Sequence, residues 1–252
     1  MALAGIGDRV EGLNAVRAAA KAGRIVELWV EQARWRQADD LIDMVTAHGG
    51  VVQQVESLRE RAETDAPQGV IARCRPRQLE SLEQLAAADR PALMVLDHVT
   101  DPHNLGAIAR SARAAGMTGL VASSRRAAPF SATAFKAASG ALETLPVAVF
   151  NSIPDALSRL HQMGVWSVGL DADGDSDLFG LSLLTEPVAI VIGQEGTGLS
   201  RLVRQRLEVT ARIPLVGAME SLNASVAAAL AAFEVMRVRA AGLGVLSHES
   251  ES

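Results

Sequence analysis

From Pro91 onward, short uninterrupted apolar runs recur at 92–96, 119–122, 147–149, 165–170, 188–192 and 209–213. Runs without polar alternation suit strands covered on both faces, the situation of parallel sheets. Stretches with helical spacing of apolar residues separate them, at 104–115, 131–139, 153–163, 199–206 and 221–241. Alternation of this kind predicts a mostly parallel, doubly wound α/β domain over 91–241.

The first 73 residues read as a separate small α/β module. Gly12-Leu13-Asn14-Ala15-Val16 opens a helix that reaches about Gly23, and 25–30 is a strand. Leu41, Ile42 and Val45 give 36–48 helical spacing, which Gly49-Gly50 stops. Strands follow at 51–55 and 69–72, with a short helix expected at 56–62. Residues 1–8 are expected to fray. Arg75-Pro76 marks 74–90 as a linker with a short helix near 77–87, and the polar tail 242–252 is expected to be disordered.

The formal charge of −5 argues against gripping nucleic acid by bulk charge. Local basic patches stay open: Arg73, Arg75 and Arg77 are either one such patch or a solvated linker. Arg9, Arg17, Lys21 and Arg24 are the other basic residues to test, against a plain solvated helix face. The one cysteine, Cys74, reads as a small residue at a strand end rather than a nucleophile, and the five histidines show no metal spacing, so no metal is expected. No signal peptide or apolar run of membrane-spanning length is evident, which makes the cytoplasm the expected location.

Three polar stretches interrupt the apolar pattern. The first is Asp97-His98-Val99-Thr100-Asp101-Pro102-His103-Asn104-Leu105-Gly106, with Arg110-Ser111 downstream. Read alone, Asn104 is a helix cap and Arg110 a surface arginine. The second, Gly193-Gln194-Glu195-Gly196-Thr197-Gly198, follows a strand and precedes a helix. It matches neither the dinucleotide fingerprint nor the phosphate loop. Glu195 is a poor phosphate partner and a better one for a cation; alone, it is a glutamate in a tight turn. The third joins Ile213-Pro214-Leu215 to Ser221-Leu222-Asn223-Ala224-Ser225, with more polar capacity than one helix cap requires. A softer element, Lys136-Ala137-Ala138-Ser139-Gly140-Ala141, lies between the first two.

In this order and spacing, the three stretches resemble the three motifs of the SpoU family of RNA 2′-O-ribose methyltransferases over residues 91–241. The N-terminal module resembles the ribosomal-protein-like RNA-binding domain of the bacterial large-subunit rRNA guanosine enzymes in that family. That match rests on Gly12-Leu13-Asn14-Ala15-Val16 and Gln68-Gly69-Val70-Ile71-Ala72. The chain departs from the pattern at Pro67, where relatives often have histidine, and at His98, where many have glycine.

The resemblance implies a C-terminal trefoil knot, S-adenosylmethionine as cofactor, RNA as partner and a homodimer with the last helix at or near its interface. It implies a catalytic set of Asn104, Arg110, Glu195, Ser221 and Asn223. It also implies cofactor contacts from Val121, Gly193, Gln194, Ile213 and Leu222. Arg110 would grip a phosphate and stabilise developing negative charge, since a guanidinium is a difficult base. Methylation of large-subunit rRNA is the leading expectation. A tRNA ribose methyltransferase, an antibiotic-resistance rRNA methyltransferase and a non-catalytic RNA-binding or assembly protein remain as alternatives. An oxidoreductase is disfavoured by the missing glycine fingerprint.

Overall fold

The computed structural model describes residues 5–124, 127, 129–217 and 221–242. In chain order the elements are β1 (Arg9–Glu11), α1 (Leu13–Lys21), β2 (Ile25–Glu31), α2 (Asp39–Ala47), β3 (Val51–Val55), β4 (Val70–Cys74) and α3 (Leu82–Ala86). Then come β5 (Ala92–Leu96), α4 (Pro102–Ala114), β6 (Gly119–Ser123), α5 (Ala132–Ala138), α6 (Ala141–Thr144), β7 (Val147–Phe150), α7 (Ile153–Gln162) and β8 (Trp166–Leu170). The chain continues through β9 (Ser176–Asp177), β10 (Val188–Ile192), α8 (Arg201–Arg204), β11 (Val209–Arg212) and α9 (Ala224–Gly242). Every strand expected after Pro91 is present, and the two-residue β9 is additional. Of the tail expected over 242–252, Gly242 is the last residue of α9 and 243–252 lie outside the described residues.

The residues form two compact units that interleave along the chain. The first gathers 1–79, 101–110 and 128–145; the second gathers 80–100, 111–127 and 146–252. The sequence reading instead divided the chain at a 74–90 linker. The physical reason for the difference is a seam of specific contacts inside the first unit. The Phe135 ring stands where a Cβ on Gly7 would have to go, closer than 3.0 Å. Arg77 donates to the carbonyls of Leu142 (2.9 Å) and Leu145 (2.6 Å). Arg24 and Glu143 form a buried ion pair at 2.6 Å. Breaking one partner of such a pair costs about 3–5 kcal/mol, because the other charge is left uncompensated.

The first unit holds a four-stranded sheet of order β1-β4-β2-β3, in which only β2 and β3 run parallel. Residues 5–8 are not frayed: Ile6 is buried and its main chain bridges to Arg77. Residues 56–62 are a turn, not a helix. Arg61 and Ala62 donate to the Leu58 carbonyl (both 2.9 Å), which makes one turn, and carboxylates take the amides at Leu58 and just beyond it. Glu31 accepts from the Leu58 N–H (2.9 Å), and the buried Glu11 accepts from the N–H groups of Glu63 (2.8 Å) and Thr64 (3.0 Å).

Burial alone would raise the Glu11 carboxyl, but those amides, the Thr64 hydroxyl and Arg9 outweigh it and hold its pKa below the ordinary value. A depressed carboxyl stabilises the fold above its unfolded pKa, and that contribution disappears as pH falls through the folded value. Glu11→Gln should therefore lower stability by about 1–3 kcal/mol at neutral pH. It should also flatten the loss of stability below about pH 4, the unfolded carboxyl range. Urea unfolding of both proteins across the acid range checks this.

Cys74 ends β4, buried, and burial pushes its thiol up to about 12, so it is not a nucleophile. The basic run resolves into internal contacts. Arg73 pairs with Glu27 (2.8 Å), Arg75 donates to the Gly23 carbonyl, and Arg77 holds the seam. Arg24 and Arg17, paired with Glu143 and Asp40, are likewise engaged, while Lys21 stays exposed.

The second unit carries a seven-stranded, wholly parallel sheet of order β7-β6-β5-β10-β8-β11-β9. β5, β6 and β10 are buried at every position, as the unbroken apolar runs require. On one face Leu82, Leu85, Leu157, Leu160 and Val203 pack on Leu93, Val95, Val121 and Val191. α9 packs on β5 and β10. At its last turn, Arg239 donates to four carbonyls: Leu184 (3.1 Å), Arg90 (2.7 Å), Pro91 (3.2 Å) and Glu186 (2.6 Å). No described helix is long and apolar enough to cross a membrane.

Candidate active site

The strand order reverses between β5 and β10, whose C-terminal residues Leu96 and Ile192 lie in register. Open parallel sheets place ligands outside the carboxyl ends of strands at such a switch point. The first and second polar stretches leave the sheet there, and the third begins one residue after β11.

Asp97 is buried at the end of β5. One carboxylate oxygen accepts the Ser200 N–H (2.7 Å) and the other pairs with His98 Nδ1 (2.7 Å). His98 has φ 59°, in the left-handed region where glycine is the favoured residue. The departure from glycine thus strains one residue, and the hydrogen bond to Asp97 helps hold it.

The loop after β10 closes on itself. Gln194 and Gly198 exchange both main-chain hydrogen bonds, at 3.0 and 2.8 Å. A Cβ on Gly193 would come closer than 3.0 Å to the main chain of Gly198 and Leu199. The glycine is therefore required by the chain's own close approach. Glu195 stands exposed at the tip of this loop.

The third stretch meets the second through one side chain. Asn223 Oδ1 accepts from the Ser225 N–H (2.8 Å) and hydroxyl (2.6 Å), capping α9. Its Nδ2 donates to Glu195 Oε1 at 3.1 Å. Capping fixes the Asn223 amide plane, and the fixed plane aims Nδ2 at Glu195. Ser221 is exposed two residues before the cap, and Leu222 and Ile213 are half-buried. Val121 is fully buried in the core, so only its main chain could meet a ligand.

In the first unit, α4 carries the other expected residues. The cap of α4 is Asp101, which accepts the His103 N–H at 2.8 Å, with Pro102 as first helical residue. Asn104 is therefore not the cap; it is buried inside the first turn. Gly106 lets α4 press on α5, where a Cβ would come closer than 3.0 Å to the Ala134 carbonyl. Arg110 is exposed and opens onto a groove of ≈320 Å³ lined also by His103, Asn14, Gln68, Lys136 and Ser139. The Gln68 side chain accepts the Leu13 N–H (2.9 Å) at the start of α1, and Asn14 donates to Ser139 Oγ (3.1 Å). Lys136 Nζ reaches the Ala66 carbonyl (2.5 Å). The two N-terminal elements and the Lys136–Gly140 element are thus one constellation around one groove. Sequence reasoning quoted these residues without joining them, because the contacts span 55 to 125 positions.

The unit-two arrangement fits a sulfonium nucleoside cofactor. A carboxylate, an amide, a loop of tightly turned main chain and the apolar flanks Ile213 and Leu222 suit a cation and a purine better than a phosphate. Among the described residues no cluster of His, Cys, Asp or Glu is placed to hold a metal ion.

Residues 91–233 match the SpoU rRNA Methylase family, and residues 9–80 match a domain described as RNA 2'-O ribose methyltransferase substrate binding. The chain is 37% identical over 241 residues to a 23S rRNA (guanosine-2'-O-)-methyltransferase from Shewanella oneidensis, covering 92% of this chain and 98% of the relative. The enzyme of the same name from Vibrio cholerae is 38% identical over 245 residues, covering 93% and 98%. Among solved structures, the SpoU methyltransferase AviRb from Streptomyces viridochromogenes in complex with AdoMet superposes with a TM-score of 0.79 at 25% identity, covering 93% of this chain and 91% of that one. An AdoMet-bound rRNA methyltransferase from Sinorhizobium meliloti gives 0.76 at 28% identity, covering 91% and 86%.

Proposed function

The chain belongs to the SpoU rRNA methylase family, and on that premise we propose that it methylates the 2′-hydroxyl of a guanosine ribose in 23S rRNA. The observation that carries this reading is the Glu195–Asn223 hydrogen bond at 3.1 Å, which ties the second motif to the third while Asn223 also caps α9. Glu195, Asn223, Ser221 and the main chain of Gly193, Gln194, Ile213 and Leu222 would hold S-adenosylmethionine, with Val121 contributing through its main chain. That cofactor supplies a methyl group already activated by sulfonium charge.

The remaining work falls to the protein. Arg110 binds the phosphate beside the target nucleotide and offsets negative charge that develops on the ribose oxygen. Asn104, buried in the first turn of the same helix, positions the sugar. Placing the two reactants together supplies several kcal/mol of the barrier reduction. Residues 9–80 hold the folded RNA, by shape and unpaired bases more than by bulk charge.

We read the catalytic domain as carrying a trefoil knot. Support comes from β8 lying between β10 and β11 and from the return of α9 to β10 and β5. We also read the protein as a homodimer through α9. Val226, Leu230, Phe233 and Met236 are exposed at helical spacing along one face. Ala228, Ala231 and Ala232, on the other side of the helix, are buried within the chain. We also read the protein as cytoplasmic, a reading supported by the proposed rRNA substrate.

The test is incubation with radiolabelled S-adenosylmethionine and unmodified rRNA and tRNA, followed by digestion and location of the label. Label on a guanosine ribose of large-subunit rRNA is the expected result. Label on tRNA alone would overturn the substrate, and absence of label despite cofactor binding would overturn action on naked RNA.

A further inference from the structure

We propose that the outward face of the N-terminal sheet carries an RNA subsite of its own, a slot that takes one unstacked nucleobase against Trp29. The inference rests on the reading of the chain as an RNA methyltransferase.

The slot follows from strand register. Side chains alternate along β2, so the fully buried Leu28 and Val30 face inward and Trp29 faces the opposite side. Arg9 pairs with Arg73 across β1 and β4, and Arg73 with Glu27 across β4 and β2. Residues directly opposite share a face, which puts Arg9, Arg73 and Trp29 on one surface. Together with Asp8, Glu63 and Phe130 they line a cavity of ≈270 Å³. Small-molecule sites run from about 300 to 1,000 Å³, so this one suits a single planar base rather than a whole nucleotide.

The charges on this face are already used. Arg73 pairs with Glu27 (2.8 Å), and Arg9 Nε with Glu11 (3.1 Å) and Glu63 (3.3 Å). Two carboxylates at the rim, Asp8 and Glu63, repel a phosphate. What remains open is two aromatic surfaces, Trp29 and Phe130, with the exposed Arg73 side chain at their edge. A neutral, flat ligand with acceptors at its edge fits that remainder, and an unstacked base is such a ligand. Guanine fits best, because its O6 and N7 accept from arginine and its N1–H and N2–H₂ can donate to the carboxylates. The Arg61 guanidinium stands 5.4 Å from the Trp29 ring centre and steadies the indole by a cation–π contact.

The experiment uses the full chain with Trp35→Phe and Trp166→Phe, leaving Trp29 as its one indole. Guanosine monophosphate and a single-stranded guanosine-containing decanucleotide should quench its fluorescence, and inorganic phosphate should not. In the otherwise native chain, Trp29→Ala should raise KM for rRNA about 10- to 100-fold, the scale of one stacked base. Its kcat should be unchanged, and Trp29→Phe should restore KM. Equal quenching by phosphate, no quenching by either nucleotide, or a Trp29→Phe chain as impaired as Trp29→Ala would each overturn the slot. Quenching without any methyl transfer would sink the proposed activity and leave the slot standing; methyl transfer without quenching would do the reverse.

Discussion

Arg110→Ala is expected to cut single-turnover methyl transfer by about 10²- to 10³-fold, the usual loss when one preorganised donor to developing charge is removed. The fold should not change, because Arg110 is an exposed side chain. Exposed substitutions typically move stability by no more than about 0.5 kcal/mol. Arg110→Lys separates two functions of the guanidinium. A lysine keeps the charge for a phosphate but loses the planar fork that grips two oxygens. If the fork matters, the lysine variant stays close to alanine in rate while regaining RNA affinity. Near-normal turnover in Arg110→Lys would show that charge alone suffices. Cofactor affinity should be the same in all three proteins, since Arg110 is not among the residues assigned to the cofactor.

Gly193→Ala should have the opposite profile, losing cofactor binding by more than about 10²-fold with RNA binding intact. The added methyl would overlap the main chain of Gly198 and Leu199, neither of which is a flexible side-chain end that could swing away. The Gln194–Gly198 pair of hydrogen bonds must then open, and Glu195 leaves the reach of Asn223. Gly196→Ala is the matched control. It sits at φ 81° with nothing within 4 Å of a new Cβ, so it meets left-handed strain but no collision. That strain is about 1–2 kcal/mol. Calorimetric titration with S-adenosylmethionine ranks the two. Wild-type affinity in Gly193→Ala would mean that the closed loop is not what holds the cofactor.

The parallel sheet was legible because its strands are buried on both faces and so leave apolar runs that need no partner to be recognised. Short elements held by distant groups were not. β1 is three residues long and shows no period, and 56–62 reads as a helix because nothing local shows that Glu31 takes the Leu58 amide and Glu11 those of Glu63 and Thr64 just past it. The 131–139 helix was found, but not its left-handed end at Ser139, φ 50°, which turns the chain into α6. At the site, Asn223 and Glu195 could be named from pattern, while their hydrogen bond across 28 positions could not. Asn104 reads from the sequence as a cap, but the actual cap, Asp101, lies three residues earlier in the same motif. Asp97, which joins the end of β5 to the start of α8, carried no signal beyond being a buried carboxylate at a strand end.

The Arg239 clamp has a consequence for the architecture as a cassette. By taking the carbonyls of Arg90 and Pro91, it brings the last turn of α9 against the entry to β5. The way in and the way out of the parallel-sheet segment are therefore adjacent. A segment whose ends already meet can be spliced into a surface loop of a host protein, or rejoined end to end and reopened elsewhere, with little added loop-closure entropy.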